Sequence, residues 1–273
     1  KGIISLPLGM ENGSPLDGDM ASLKHFYDRG IRYISLSHGE SNHLSDSSYD
    51  DNHQWGGLSD FGTEVIKEMN RFGFIVDVSH LSDDAFWDVM EVSMAPVIAS
   101  HSSARHFTPG WERNMSDEMI VAMAEKGGVI QINFGSSFIT KEAREYSTPL
   151  YDALNKWIAA DPENRNMGTA RTDFYPDYIA EHGPYPYASI DDVLDHFDHV
   201  VALTGIDHVG IGLVSFNPDG EVELINNAAK RLMKITHLRN IGDLKSSSPI
   251  LAEKLRDLKP GQNHLIKLQQ GEN

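Results

Sequence analysis

The feature that most constrains this chain is a regular alternation of short apolar runs with amphipathic segments through its first 212 residues. Runs such as FIVDVSH and PVIASH are rich in β-branched residues, and segments with the apolar spacing of a helix follow them. Short strands that alternate with helices form parallel sheets covered by helices. The sequence therefore predicts an α/β fold, with six strands of this kind.

Capping residues mark the predicted helices. Gly73 stands directly after one helical pattern, and glycine takes the left-handed conformation that ends a helix. The Tyr- and Pro-rich stretch 136–188 breaks the alternation and is predicted to be an insertion. Serine accepts backbone hydrogen bonds at a helix start, and four serines immediately precede helical patterns: Ser59, Ser82, Ser116 and Ser189.

Two architectures fit this alternation, an open doubly wound sheet and a (β/α)₈ barrel. Glu11, His38, His80 and His101 stand at the C-terminal ends of four consecutive predicted strands. Four neighbouring strand ends in an open sheet are spread over about 15 Å, at ~4.8 Å per strand, whereas in a barrel they converge. We therefore favour a (β/α)₈ barrel, incomplete, with about six of eight strands.

The same four positions suggest a metal site. The chain has no cysteine, so any metal must be held by His, Asp or Glu. Imidazole and carboxylate ligands suit zinc or another divalent transition metal, and a three-ligand set leaves a position for water. A lone histidine at a strand end is more often a hydrogen-bonded loop residue, but the repetition on successive strands favours the metal. The remaining histidines of helices and loops are expected to be solvated or capping: His25, His43, His53, His106, His182, His196, His199 and His208.

Arg113, in the loop that follows PVIASH, is a candidate clamp for a carboxylate, because a guanidinium makes two parallel hydrogen bonds to one. The alternative is an ordinary surface arginine. Arg105 is a weaker candidate for the same role. Trp55 lies in the long loop after His38, where it could line a pocket or anchor the loop.

Charge and hydropathy exclude some classes of function. The net charge of -17 argues against a nucleic-acid partner, and no apolar run is long enough for a membrane span. The charge is unevenly spread: residues 213–273 carry 9 basic and 7 acidic side chains, against 14 and 33 in residues 1–212. This shift predicts a domain boundary between residues 212 and 213.

The tail, residues 213–273, has a different pattern from the strand–helix alternation of residues 1–212. LVSFNPDGEVELIN has the pattern of a hairpin around a Pro-Asp-Gly turn, and an amphipathic helix follows. It resembles the opening of a PAS domain of a bacterial sensor histidine kinase, which would make it a short α+β fragment. The alternative is a C-terminal hairpin and helix of the first unit itself.

Residues 1–212 resemble the membrane dipeptidase (renal dipeptidase-like) family of zinc peptidases. The segments that carry the resemblance, in order, are GMENG, SLSHGESN, GLSDFGTEVIKEMNRFGFIVDVSHLSDDAFWDV, PVIASHSSAR and ERNMSDEMI. The resemblance implies a metal-dependent (β/α)₈ barrel that hydrolyses the peptide bond of dipeptides, with the metals acting as Lewis acid and as water activator.

The resemblance also implies a role for each site residue. Glu11 matches the carboxylate that bridges two zinc ions, and His80 and His101 match the two imidazole ligands of one zinc. His38 matches the histidine that contacts the substrate and steadies the tetrahedral intermediate. Arg113 matches the arginine that binds the free carboxylate of the dipeptide.

Two family motifs have no counterpart here. The His-x-Asp of the first family strand does not precede Glu11, and Val214 stands where the family has a catalytic aspartate. We therefore expect at most one full zinc site instead of two, and a natural protein that begins upstream. The alternative function is an inactive metal-binding remnant fused to a PAS-type sensory module. A homodimer, and a cytoplasmic or exported location in a bacterium, stay open.

Overall fold

The computed structural model describes residues 7–161 and 169–210, together with the backbone of two short strands beyond them. Five strands form one parallel sheet: β1 Leu8–Met10, β2 Ile31–Ser35, β3 Ile75–Asp77, β4 Ile98–Ser102 and β5 Val129–Ile132. Each strand pairs with the next one along the chain, so the order in the sheet is β1-β2-β3-β4-β5. The predicted α/β fold with a parallel sheet is confirmed.

The strand order decides between the two predicted architectures. A doubly wound sheet reverses its order at a switch point, whereas a barrel adds every strand on the same side. Right-handed crossovers then place all the connecting helices on one face of the sheet. The five described strands therefore form an arc of a barrel, and their carboxyl ends lie along one rim.

The predicted helix boundaries hold. The side-chain oxygens of Ser59, Ser82, Ser116 and Ser189 each accept a backbone N–H bond at the start of a helix. Gly73 ends its helix in the left-handed conformation, with φ of 83°. The helices that alternate with the strands are α1 Ala21–Asp28, α2 Asp60–Phe72, α3 Asp83–Val92 and α4 Asp117–Glu125.

The sixth predicted strand is not formed as a strand in the described part of the chain. Within HVGIG, Val209 makes an isolated parallel bridge to Ile130, and the Gly210 N–H donates to the Ile130 carbonyl. A 3-10 turn at Ile206–His208 runs up to Val209. The last two residues of HVGIG lie outside the described residues, so the sixth strand stays a prediction, and Val209 lies where it would add to β5.

The insertion is largely helical. It contains α5 Ser136–Ile139, α6 Lys141–Ala160, a π-helical turn at Ala170–Phe174 and α7 Tyr175–His182, and α8 Ile190–Thr204 follows it. Its helices share a small apolar core of their own, separate from the core beneath the sheet. The main core consists of strand residues such as Ile34, Val76 and Ile130 packed against helix residues such as Ile66 and Met123.

The long loop from 36 to 58 is held rigidly against the rest of the fold. The buried carboxylate of Asp46 accepts backbone N–H bonds from Trp55 and Gly57. Trp55 anchors the loop through its indole N–H, which donates to the Asn42 carbonyl at 2.7 Å. A Cβ on Gly62 would lie 2.0 Å from the carbonyl oxygen of Leu44, so only glycine lets α2 approach this loop. The loop carries His38, and its order fixes that residue.

The predicted hairpin of the tail is present. Strands β6 Val214–Phe216 and β7 Val222–Ile225 pair in antiparallel fashion. The predicted helix and the rest of the tail lie outside the described residues, as do residues 1–6. Among the helices of the described residues, none combines the length and apolar character that a bilayer crossing requires.

Candidate metal centre

Glu11, His80 and His101 come from three different strand ends and meet at one point. The Oε1 atom of Glu11 lies 3.2 Å from Nε2 of His80 and 3.0 Å from Nε2 of His101. The two imidazole nitrogens are 2.8 Å apart. Three ligand atoms on the rim of the sheet therefore face a common position.

A buried carboxylate that sequence reasoning missed holds the two histidines in place. Asp77, at the end of β3, accepts backbone N–H bonds from Ser79 and Ser100 through Oδ1, each at 3.0 Å. Its Oδ2 accepts the hydroxyl of Ser100 at 2.5 Å. Asp77 thus ties the turn that carries His80 to the strand that carries His101. The available signal was the motif VDVSH itself, in which an acidic residue interrupts an apolar strand.

The hydrogen bonds assign the tautomer of His101. The single hydroxyl proton of Ser100 goes to Asp77, yet Ser100 Oγ also lies 2.7 Å from His101 Nδ1. The imidazole must therefore donate from Nδ1, which leaves a lone pair on Nε2. Burial and the nearby Arg113 guanidinium lower the pKa of His101 and favour this neutral form.

His80 is neutral as well, with its lone pair on the same side. Burial, followed by the charge of Arg113, lowers the pKa of His80 to about 2. Arg113 Nη2 lies 3.2 Å from His80 Nε2, and since a guanidinium can only donate, this nitrogen is the unprotonated one. His80 also has φ of 75°, in the left-handed region that few non-glycine residues adopt.

The donor set fits a divalent transition metal. Nε2 of His80 and Nε2 of His101 are both unprotonated and lie with the carboxylate of Glu11 at 2.8 to 3.2 Å from one another, and the Arg113 guanidinium is the cation beside His80. A metal ion among the three atoms would be coordinated by all of them. Neutral imidazole nitrogens fixed by a carboxylate behind them are the usual ligands of zinc and similar ions.

His38 lies beside this centre, on the more open side. Its Nε2 is 3.5 Å from Oε1 of Glu11, and its ring lies 4.3 Å from the ring of His80. The Ser47 hydroxyl donates to the His38 carbonyl and fixes the backbone there. Glu11, His38 and His80 form a group with metal-binding geometry, so His38 is placed to contact either the metal or a substrate.

Arg113 is not a surface arginine, and that alternative is wrong. Its side chain is 2% exposed. Nη1 donates to Ser102 Oγ and Nη2 donates to the His101 carbonyl, both at 2.8 Å, while Nε has no hydrogen-bond partner among the described residues. Burial lowers the pKa of Arg113. Arg105, the weaker candidate, forms a two-pronged ion pair with Asp83.

An aromatic wall beside the centre was not foreseen. The ring of Tyr49 lies 5.8 Å from that of His80 and 6.2 Å from that of Trp111, which in turn packs 5.0 Å from Phe138. The guanidinium of Arg144, from α6, lies 4.2 Å above the Trp111 ring. Trp111 could have been flagged from its position two residues before Arg113. Arg144 could not be linked to the site from the sequence, because it lies on a helix of the insertion, whose packing against Trp111 is a tertiary contact.

The expectation for the other histidines needs one correction. His196 is completely buried instead of solvated, with Nδ1 accepting the Ala104 N–H and Nε2 donating to the Ile139 carbonyl. This pair of bonds explains why a histidine is tolerated in the core. Burial lowers the pKa of His196 to about 4.

Known proteins identify the family to which this fold and centre belong. A profile of the membrane dipeptidase family, peptidase family M19, matches residues 1–237. The chain therefore belongs to the membrane dipeptidase family. The match continues past residue 212, through the hairpin and into the following segment.

Curated relatives carry dipeptidase names. An uncharacterized dipeptidase of Schizosaccharomyces pombe is 33% identical over 77% of this chain and 41% of its own length. Dipeptidase tcpJ of Claviceps purpurea is 31% identical over 75% of this chain and 38% of its own. Dipeptidase 3 of Mus musculus is 29% identical over 75% and 34%. The chain thus spans less than half the length of these relatives.

Solved structures share the fold. The probable dipeptidase PvdM from Pseudomonas aeruginosa superposes with a TM-score of 0.61 and 25% identity, covering 91% of this chain and 68% of that one. An amidohydrolase from Pseudomonas aeruginosa gives a TM-score of 0.54 at 23% identity, covering 75% of this chain and 48% of that one.

Proposed function

We propose that this chain carries the metal centre of a metal-dependent dipeptidase, together with the aromatic wall beside that centre. The observation that carries the proposal is the convergence of two unprotonated imidazole nitrogens and one carboxylate oxygen, at 2.8 to 3.2 Å from one another. Membership of the membrane dipeptidase family supports the class of reaction, hydrolysis of a peptide bond in a dipeptide.

In this proposal Glu11, His80 and His101 hold the metal. When bound, the ion supplies a Lewis acid that polarises a carbonyl oxygen and makes a water more acidic. Asp77 keeps the ring of His101 oriented and its Nδ1 proton in place, so the Nε2 lone pair stays available. The ring of Tyr49, 5.8 Å from that of His80, would border a metal held there.

His38 and the two arginines position the substrate. His38 lies at the open side of the centre, where its imidazole can donate to an oxygen of the scissile peptide. Arg113 has an unpaired buried Nε and supplies positive charge next to both metal-binding histidines. Arg144 is less buried and stacks on Trp111, so it is the arginine that a free carboxylate reaches first. Both are proposed to bind the C-terminal carboxylate of the dipeptide.

Zinc is the proposed metal, because two imidazoles and one carboxylate select transition metals over magnesium and calcium. Glu11, His80 and His101 complete one site. One ion at this centre is therefore the proposal.

The first test is metal content per chain, by elemental analysis, together with turnover of dipeptides. We expect zinc that is lost in His80→Ala, and hydrolysis of dipeptides but not of analogues with an amidated C-terminus. Retention of all zinc in His80→Ala would overturn the ligand assignment. Full zinc loading without turnover of any dipeptide would leave the inactive metal-binding remnant as the function.

The tail keeps its two interpretations as proposals. The family match extends to residue 237, which favours the hairpin as part of the dipeptidase unit, and no comparison supports a PAS domain. The boundary at 212/213 and a homodimer stay predictions. Limited proteolysis followed by mass spectrometry checks the boundary, and sedimentation equilibrium checks the dimer.

A further inference from the structure

A second cluster of metal-ligand side chains lies away from the rim centre. His106 follows β4 in a 3-10 turn at Arg105–Phe107, Asp117 is the first residue of α4, and His199 lies in α8. Their ligand atoms all lie within 4.8 Å of one another. Nε2 of His199 is 2.8 Å from Oδ1 of Asp117, and the rings of His106 and His199 stack at 4.4 Å with 26° between their planes.

The simplest alternative is an ion pair between His199 and Asp117, against which His106 merely packs. That alternative explains the 2.8 Å contact, but it assigns no role to the imidazole of His106. A cation shared by the two imidazoles and the carboxylate uses all three groups.

The surroundings favour a cation. Asp117 stands in the first turn of α4, where the helix dipole interacts favourably with a carboxylate. The first 212 residues carry 33 acidic against 14 basic side chains, so their field attracts cations. Ligand atoms around zinc lie ~2.1 Å from the ion and therefore roughly 3 Å from one another. His106 is exposed, so its ring is the one of the three that burial does not hold in place.

We propose that His106, Asp117 and His199 form a second binding site for a divalent transition metal, independent of the rim centre. Two imidazoles and one carboxylate define zinc or a similar ion as the ligand, with water completing the shell. The site joins three segments that are distant in sequence: the loop after β4, the start of α4 and the middle of α8. Its role is structural, because it clamps α8 onto the barrel arc.

The decisive variant is His106→Ala, because it removes one proposed ligand and leaves the His199–Asp117 contact intact. Purified protein is equilibrated with buffered micromolar zinc, and bound zinc per chain is measured by elemental analysis. We expect one zinc fewer per chain in His106→Ala, and the same loss in His199→Ala. His25→Ala, which removes an exposed histidine of α1 outside both clusters, keeps the wild-type count. An unchanged zinc count in His106→Ala would overturn the proposal.

A second measurement covers the case in which a variant folds poorly. In wild-type protein labelled with ¹³C at histidine Cε1, zinc added to the chelated form should shift the resonances of both His106 and His199. The variants serve only to assign these two resonances. A zinc-induced shift of His199 without one of His106 would mean that no shared site exists.

Discussion

The chain contains two histidine–carboxylate clusters, and they are built in opposite ways. At the rim, His80 is 6% exposed, and Asp77 fixes His101 from behind. Between the helices, the Asp117 side chain is 39% exposed and contacts Nε2 of His199 at 2.8 Å. The difference lies in prepositioning. The rim fixes the Nε2 lone pairs of its two histidines before any ion is bound, whereas the three groups of the other cluster would have to rearrange around an ion.

The largest expected effect separates the two clusters by activity. His101→Ala should lower kcat/KM for dipeptides by roughly 10²- to 10³-fold, because it removes a proposed ligand of the reacting metal. His106→Ala should change kcat/KM less than about twofold, since its proposed site is structural. Steady-state kinetics with both variants checks this. An equal loss in both variants would erase the distinction between the clusters.

A pH experiment concerns His196, the buried histidine of α8. Because burial lowers the folded pKa of His196 to about 4, the unfolded chain binds its proton first. Stability from this group is complete above a pH of about 6.5 and is lost as the pH falls from there to about 4, by about 3 kcal/mol.

We therefore expect the free energy of unfolding to fall less steeply over this pH range in His196→Gln than in wild type. Urea denaturation at several pH values measures the slope. His182→Gln, on a different helix, should keep the wild-type slope. A slope unchanged by His196→Gln would mean that other groups, such as His80, account for the acid lability.

Next in size is the contrast between Asp77, which supports the rim histidines, and Asp117, a proposed ligand of the second site. Asp77→Asn replaces two charge-assisted acceptors inside the fold and should lower the free energy of unfolding by about 1–3 kcal/mol. It should also weaken zinc binding at the rim by about 10- to 100-fold. Asp117→Asn should cost less than about 1 kcal/mol, because its pair is half exposed. Chemical denaturation and zinc titration check both values, and equal costs would contradict the difference in burial.

The smallest effect concerns Arg144. Arg144→Lys keeps the charge but removes the planar fork, so we expect KM for dipeptides to rise about tenfold with kcat nearly unchanged. Lys141→Arg, three residues earlier on α6, provides a control that leaves both constants unchanged. A fall in kcat at constant KM would place Arg144 near the reacting atoms instead of at the substrate carboxylate.

The sequence predicted the parts of the fold that depend on local signals. Serine caps, the glycine that ends α2, and apolar periodicity are properties of neighbouring residues, so the helices and four of the strand ends could be placed. The 3-10 turn at Ile206–His208, which comes directly before the bridge from Val209 to Ile130, has no local sequence pattern that predicts it.

The candidate site divides in the same way. Glu11, His80 and His101 could be named because strand ends share a rim. The contributions of Asp77 and Arg144 depend on contacts between distant segments. Asp77 accepts hydrogen bonds from Ser100 on the next strand, and Arg144 lies on a helix of the insertion that packs against Trp111. The burial of Arg113 and His196 is likewise a tertiary property that residue type argues against.

The left-handed backbone of His80 lowers the stability of the fold, while its imidazole is proposed to be needed for activity. A non-glycine residue in this conformation costs about 1–2 kcal/mol relative to the right-handed form, a penalty that glycine avoids. We expect a library randomised at residue 80 to enrich glycine or asparagine when it is sorted for thermal resistance. Sorted for dipeptide turnover, the same library should return only histidine.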